Sequence, residues 1–399
     1  MKPPSHLFRA GWRAFFWGAG LWAVLSVALW MGSLLAQFGG DDGWLTGPGM
    51  APQLWHGHEM IFGYAAAALG GFFLTAVPNW TGARAAPERF VAMVFGLWLA
   101  GRLAVWLSGL LPPLLVAVVD LAFLPVLAAK VLTQLLARPK PQNMMFLLLL
   151  SMVWTGNLLV HLDWMGLAGT EWQGLRGGLL AVCAMIAVLG GRVTPAFTRN
   201  ALLRAGRVPE PARLPGWVDP AGIALAIATA LAALAGAPDP LAGALALLAG
   251  IAALLRLSGW GGWRMRHQPI VWALHAGYAM LGLGLILWGL AMLGQGNEPG
   301  ALHVLAIGAI GGMTLAVMSR ASIGHSGREL VAPRAVAFGY AALPLAAGLR
   351  WAASAWPAGF YETGIILSGL IWIAAFAGYL GALWPVFFGP RADGGAEQA

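Results

Sequence analysis

The chain has 399 residues, of which 59% are hydrophobic and only 10% charged, with a mean hydropathy of +0.75. A water-soluble domain carries about 25% charged residues, so this composition excludes the soluble domains that length alone would suggest. A formal charge of +8 points to nucleic acid in a soluble protein. In a chain this apolar the placement of charge matters more than its sum, and no nucleic-acid partner is expected.

Apolar runs of roughly 18 residues or more recur from end to end, each long enough to cross a bilayer as a helix. The short alternating segments of a membrane β-barrel are not seen. The expected fold is all-α: one polytopic domain over residues 1–399, with about twelve transmembrane helices in contact with the lipid bilayer. Taken in order, the first six spans fall at roughly 12–36, 54–77, 90–110, 112–136, 143–162 and 173–192. The second six fall at roughly 217–236, 240–258, 269–293, 301–320, 333–353 and 360–388. Turn signals separate them, among them Gly39-Gly40-Asp41-Asp42-Gly43, Pro112-Pro113, Pro139-Lys140-Pro141, Pro209-Glu210-Pro211, Pro238-Asp239-Pro240 and Trp356-Pro357. The longest connector, roughly 193–216, is basic, and the polar tail over 391–399 reads as disordered. The first apolar run lacks a small-residue cleavage site and reads as a retained helix. The single cysteine, Cys183, lies in an apolar stretch and rules out a disulfide framework. Spans 2 and 10 both begin with histidine and continue through glycine pairs, without forming a convincing repeat.

Orientation follows from the positive-inside rule. With both termini in the cytoplasm, 20 of the 23 basic residues fall in cytoplasmic segments. The exceptions are Arg102, Arg176 and Arg350, while Asp41, Asp42, Asp163, Glu171, Asp239, Glu298 and Glu362 fall outside.

Depth then singles out residues that a membrane tolerates poorly. Arg102 lies about two turns from the outer end of span 3, and Asp120 about two turns into span 4 from the same side. The tight Pro112-Pro113 turn makes these spans neighbours, so the two are expected to pair, as a structural lock or as part of a functional site. Arg102 is also suited to an acidic cofactor group. His56, His58 and Glu59 open span 2, His161 closes span 5 and His303 opens span 10, all near one outer level. A single histidine at a helix end is commonly an interfacial side chain, but four at one depth point to a metal or haem. Imidazole suits copper, iron and zinc, and haem iron accepts axial histidine. At about 100° per residue, His56 and His58 leave their helix toward opposite sides. His56 and Glu59 share a face, so Glu59 is placed to orient a ligand or carry protons. His275 and His325 lie toward the cytoplasmic side and form a second candidate centre or quinol site. Gly70 and Gly71, like Gly308, Gly311 and Gly312, serve close helix packing or make room for a flat macrocycle.

Several blocks carry a family resemblance. They are Leu54-Trp55-His56-Gly57-His58-Glu59-Met60-Ile61-Phe62-Gly63-Tyr64 followed by Phe72 through Trp80, and Gly190-Gly191-Arg192-Val193-Thr194-Pro195-Ala196-Phe197-Thr198-Arg199-Asn200. Leu274-His275-Ala276-Gly277-Tyr278 and the stretch from His303 to Gly324-His325-Ser326-Gly327-Arg328 complete the set. Together, in this order, they resemble the NnrS family; His161 lies outside them. The resemblance implies a bacterial inner-membrane protein with haem b and copper, tied to denitrification, nitric oxide and nitrosative stress. The leading expectation is a haem–copper redox protein that reduces NO to N2O, with His56, His58, His161 and His303 as metal ligands. Glu59 would supply protons, His275, His325 and Arg102 would bind cofactor, and membrane quinol would donate electrons. Two alternatives remain open: a non-catalytic protein that senses or sequesters NO, and a twelve-helix transporter. Against transport, the ionisable residues cluster near the outer surface and not at the midplane.

Overall fold

The computed structural model describes residues 6–40, 47–208, 214–356 and 358–395. Lys2, Asp41, Asp42, Gly43, the Pro209-Glu210-Pro211 turn, Arg213, Pro357 and residues 396–399 lie outside the described residues. Among the described residues every regular element is helical. The helices are α1 (Gly11–Phe38), α2 (Pro52–Thr81), α3 (Glu88–Trp106), α4 (Pro113–Leu135), α5 (Pro141–Trp164) and α6 (Glu171–Arg204). They continue with α7 (Val218–Leu234), α8 (Asp239–Ser258), α9 (Pro269–Met292), α10 (Glu298–His325), α11 (Arg334–Ala355) and α12 (Tyr361–Phe388). Eleven are long and apolar enough to cross a membrane, and α7 is a shorter apolar helix. The fold is therefore the polytopic helical membrane protein read from the sequence. One boundary moves: α6 runs through Pro195 to Arg204, so half of the expected 193–216 connector is helix.

Backbone packing divides the chain into two compact units. The first comprises Met1–Gly178, Met318–Leu330 and Phe376–Ala399; the second comprises Leu179–Val317 and Val331–Ala375.

In the first unit, glycines bring helices close. A Cβ on Gly156 of α5 would lie 2.7 Å from Gly178 Cα and 2.8 Å from Gly174 O, both on α6, so only glycine permits this crossing. Gly70 and Gly71 receive the rings of Phe15, Phe123 and Phe16, which assigns them to packing. Pro125 has no N–H for the Leu121 carbonyl four residues back. The Trp154 indole supplies the missing donor, Nε1 to Leu121 O at 3.1 Å. Arg13, fully buried, donates to the carbonyls of Val386, Phe387 and Gly389 at 2.6, 3.0 and 2.9 Å. These belong to the last turn of α12 and the residue after it, where carbonyls lack helical partners. The start of the tail is also hydrogen-bonded: Arg391 Nη1 donates to His325 O at 2.8 Å and Ala392 N to Ser326 O at 2.9 Å.

In the second unit, α8 and α9 meet at two glycine pairs, Gly243 with Gly289 and Gly250 with Gly282. Gly308 and Gly311 of α10 receive Met280 and the Trp372 ring, so this room too is filled by packing and not by a macrocycle. Arg256, 2% exposed, donates to Asp219 Oδ1 and Ala187 O, each at 2.8 Å, and to the Tyr278 hydroxyl. Gly191 leaves the space for its guanidinium.

Two of the histidine-bearing helices, α2 and α10, contain a π-helical stretch directly after a histidine: Glu59–Ala65 after His58, and Val304–Gly311 after His303. In α2 the Ala66 N–H reaches Ile61 O, five residues back. Such wide turns are uncommon and concentrate at functional sites.

Candidate metal centre

The first unit assembles a buried polar group from four helices. His58 stands at the last α-helical residue before the π stretch of α2. Its Nδ1 lies 3.0 Å from Glu59 Oε1, and its Nε2 lies 2.8 Å from Asn157 Oδ1 and 3.2 Å from Asp120 Oδ2. Asn157 and His161, four residues apart, share one face of α5. Asn157 Nδ2 donates to Asp120 Oδ2 at 2.8 Å, and His161 Nε2 lies 2.9 Å from the same oxygen. Arg102 on α3 donates through Nη1 to Glu59 Oε1 at 2.7 Å and through Nη2 to Asp120 Oδ1. The expected Arg102–Asp120 pair is present, and Glu59 is a second partner that the sequence reading did not foresee. None of these side chains reaches water: His58 and Glu59 are 0% exposed, and Arg102, Asp120, Asn157 and His161 between 1% and 4%.

Two carboxylates face one guanidinium here, which leaves a formal charge of −1 when the imidazoles are neutral. A proton on His58 or a bound cation evens it. A net charge buried in an apolar interior is costly, so the group is built to hold one or the other.

One donor atom each from His58, Asp120 and His161 lies within 4.8 Å of the others. An ion placed among them at about 2.0–2.2 Å from each would separate its ligands by little more than the distances just given. Two imidazoles and a carboxylate suit iron or copper. The outer contacts have the form that orients a metal-binding histidine: with Nε2 toward the ion, His58 Nδ1–H donates to Glu59, which Arg102 holds in turn.

Trp164 closes the site. Its ring lies 5.0 Å from the His58 ring and 5.2 Å from that of His161, centre to centre. Its Nε1 donates to Glu171 Oε1 at 2.6 Å. Beside it a cavity of about 240 Å³ has His161, Trp164, Glu171 and Ser108 among its walls.

The other expected ligands lie elsewhere. His56 stacks on Trp30 of α1 at 5.0 Å and 13°, so the two histidines of α2 do face different neighbours. His303 belongs to the second unit, where its Nδ1–H donates to Pro299 O at 2.6 Å. A neutral imidazole so held has its lone pair on Nε2. His275, also in the second unit, lies with Nε2 at 2.8 Å from the Thr198 hydroxyl. That hydroxyl donates its only proton to Thr194 O, so His275 Nε2 is the donor and Nδ1 holds the lone pair. His325 belongs to the first unit and stacks on Trp12 at 6.4 Å. Both terminal nitrogens of Arg102 are taken by carboxylates. Another cavity, about 600 Å³, is lined by residues such as Pro344, Leu349, Trp356 and Phe360 and by no histidine.

Sequence reasoning missed Asn157, Trp164 and the role of Asp120 as a shared acceptor. The Asn157–His161 spacing was a legible signal; the Trp164 contact, which depends on the turn that follows, was not.

Comparison of the chain with curated proteins gives no match. The NnrS protein family model matches residues 6–391, nearly the whole length, and the chain belongs to the NnrS family.

Proposed function

We propose that this protein is a haem- and copper-containing redox protein of the bacterial inner membrane, with both termini cytoplasmic, that acts on nitric oxide. The observation that carries this reading is the buried His58–Asp120–His161 group, with its charge imbalance and its oriented imidazole. Copper would be held by these three side chains. Haem b would be held by His303 or His275, each with one ring nitrogen already committed to a protein acceptor. The overall reaction is reduction of two NO to N2O and water, with two electrons and two protons supplied as membrane quinol becomes quinone.

When bound, the metals would supply electron transfer and a Lewis-acidic site for NO. The chain's own residues do the rest. Glu59 fixes the tautomer and direction of His58, and Arg102 pins Glu59 and Asp120. Asn157 bridges His58 to Asp120, and Trp164 packs against both imidazoles. His56, stacked on Trp30, is a further candidate ligand on the other side of α2, as is His325 beside Trp12.

The test is the iron and copper content and optical spectrum of purified protein, with NO consumption measured under reducing conditions. Copper present in the wild type and lost in His58→Ala and His161→Ala is the expected result. Full copper in both variants would refute the assignment. Metal present without turnover would leave binding or sensing of NO as the function.

A further inference from the structure

The His58–Asp120–His161 group is buried, so an ion must have a way in. We propose that the 240 Å³ cavity is the route by which a cation reaches this site, with Glu171 as its capture residue and Trp164 as its gate. The inference rests on the metal reading of the group and adds to it how the ion arrives.

Three observations carry it. His161 forms part of the cavity floor, so the cavity ends on a ligand. The lining carries a carboxylate, Glu171, and no lysine or arginine, and Asp163 stands beside it, its Oδ2 accepting from the Glu171 N–H at 3.0 Å. The group behind has a formal charge of −1 of its own. A cleft of one sign raises the local concentration of opposite ions and speeds their association. Met50, also in the lining, offers a thioether, a donor that favours copper(I). Trp164, in the same lining, covers His58, lying against both imidazoles while its N–H is held by Glu171. A cation that binds the Glu171 carboxylate competes for the oxygen that holds this indole. Capture therefore loosens the gate, and the ring can leave the imidazoles as the ion arrives.

The experiment measures the rate at which metal-free, full-length protein in detergent takes up buffered copper(I). Glu171→Gln keeps an acceptor for Trp164 and removes the charge. Uptake should slow roughly threefold to tenfold at low salt, and the gap to wild type should narrow at high salt. Trp164→Phe keeps a ring and removes the N–H, so both uptake and release should quicken. Ser108→Cys, labelled with a bulky thiol reagent before loading, should block uptake by tenfold or more. The same label added after loading should trap the ion. Cys183, 1% exposed, leaves the introduced thiol as the reactive one. Final copper per protein should be unchanged in Glu171→Gln and in unlabelled Ser108→Cys. If all of them load at the wild-type rate, the route is wrong while the centre stands. If wild-type protein takes up no copper, centre and route fall together.

Discussion

Replacing Arg102 with methionine tests the logic of the polar group most directly. Its guanidinium faces Glu59 and Asp120, both 4% exposed or less, and among the described residues no second arginine is seen to bond to either carboxylate. Without it the formal charge of the group falls from −1 to −2 in an apolar surrounding. Removing one partner of a buried ion pair costs about 3–5 kcal/mol. At about 2–4 °C per kcal/mol, the midpoint of thermal unfolding in detergent should drop by roughly 6–20 °C. Adding Glu59→Gln and Asp120→Asn to the same chain removes the stranded charges and should recover at least half of the loss. On the proposed assignment copper would supply positive charge at the same place, and should raise the midpoint of Arg102→Met by more than it raises that of wild type. A drop under about 2 °C, or a triple variant no better than the single one, would refute the argument that these charges are coupled.

Trp154→Phe should cost about 1–3 kcal/mol by stranding the Leu121 carbonyl, and nearly nothing in a Pro125→Ala background where the helix restores the donor; equal losses in both would sink the capping argument. Gly63→Ala places a Cβ 2.7 Å from Trp22 Nε1, 2.8 Å from Arg102 Nη1 and 2.9 Å from Glu59 Oε2, so it should lower both thermal stability and copper retention, and unchanged values would contradict the packing described. Arg391 holds the carboxyl of Asp393 down at about 2 through their hydrogen bonds, so the tail contact should persist above the usual carboxylate range and be lost only as pH falls toward 2. A carboxyl NMR titration with a midpoint near the ordinary value of about 3.9 would count against it. Reporter fusions at Gly206 should read as cytoplasmic; a periplasmic signal there overturns the proposed orientation.

The fold was legible because bilayer thickness sets a length that composition reveals directly. Even the Arg102–Asp120 contact could be anticipated, since a proline turn forces the two helices to be neighbours and depth along each is simple arithmetic. The site was legible only in part. His58 and His161 were singled out by depth, but depth fixes height along a helix and says little about which helices touch. His303 shares the same expected level and yet belongs to the second unit. Glu59 was paired with His56 by ideal helical spacing, and the structure shows it bonded to His58 and Arg102. Helical spacing names a shared face but not which side chains reach one another, and the π stretch that begins at Glu59 was not legible at all.

That stretch also limits how the protein can vary. A π-helical turn holds a residue more than the α-helical turn it replaces. Deleting a single residue between Glu59 and Ala65 would let α2 close into ordinary helix and turn everything before it by about 100°. The helix would remain apolar, long enough and compatible with its neighbours beyond Ala66. His58 and Glu59 would nonetheless leave their partners. Along α2 the chain can therefore exchange side chains more freely than it can lose length. A shortened relative would fold as a membrane protein and lack the centre.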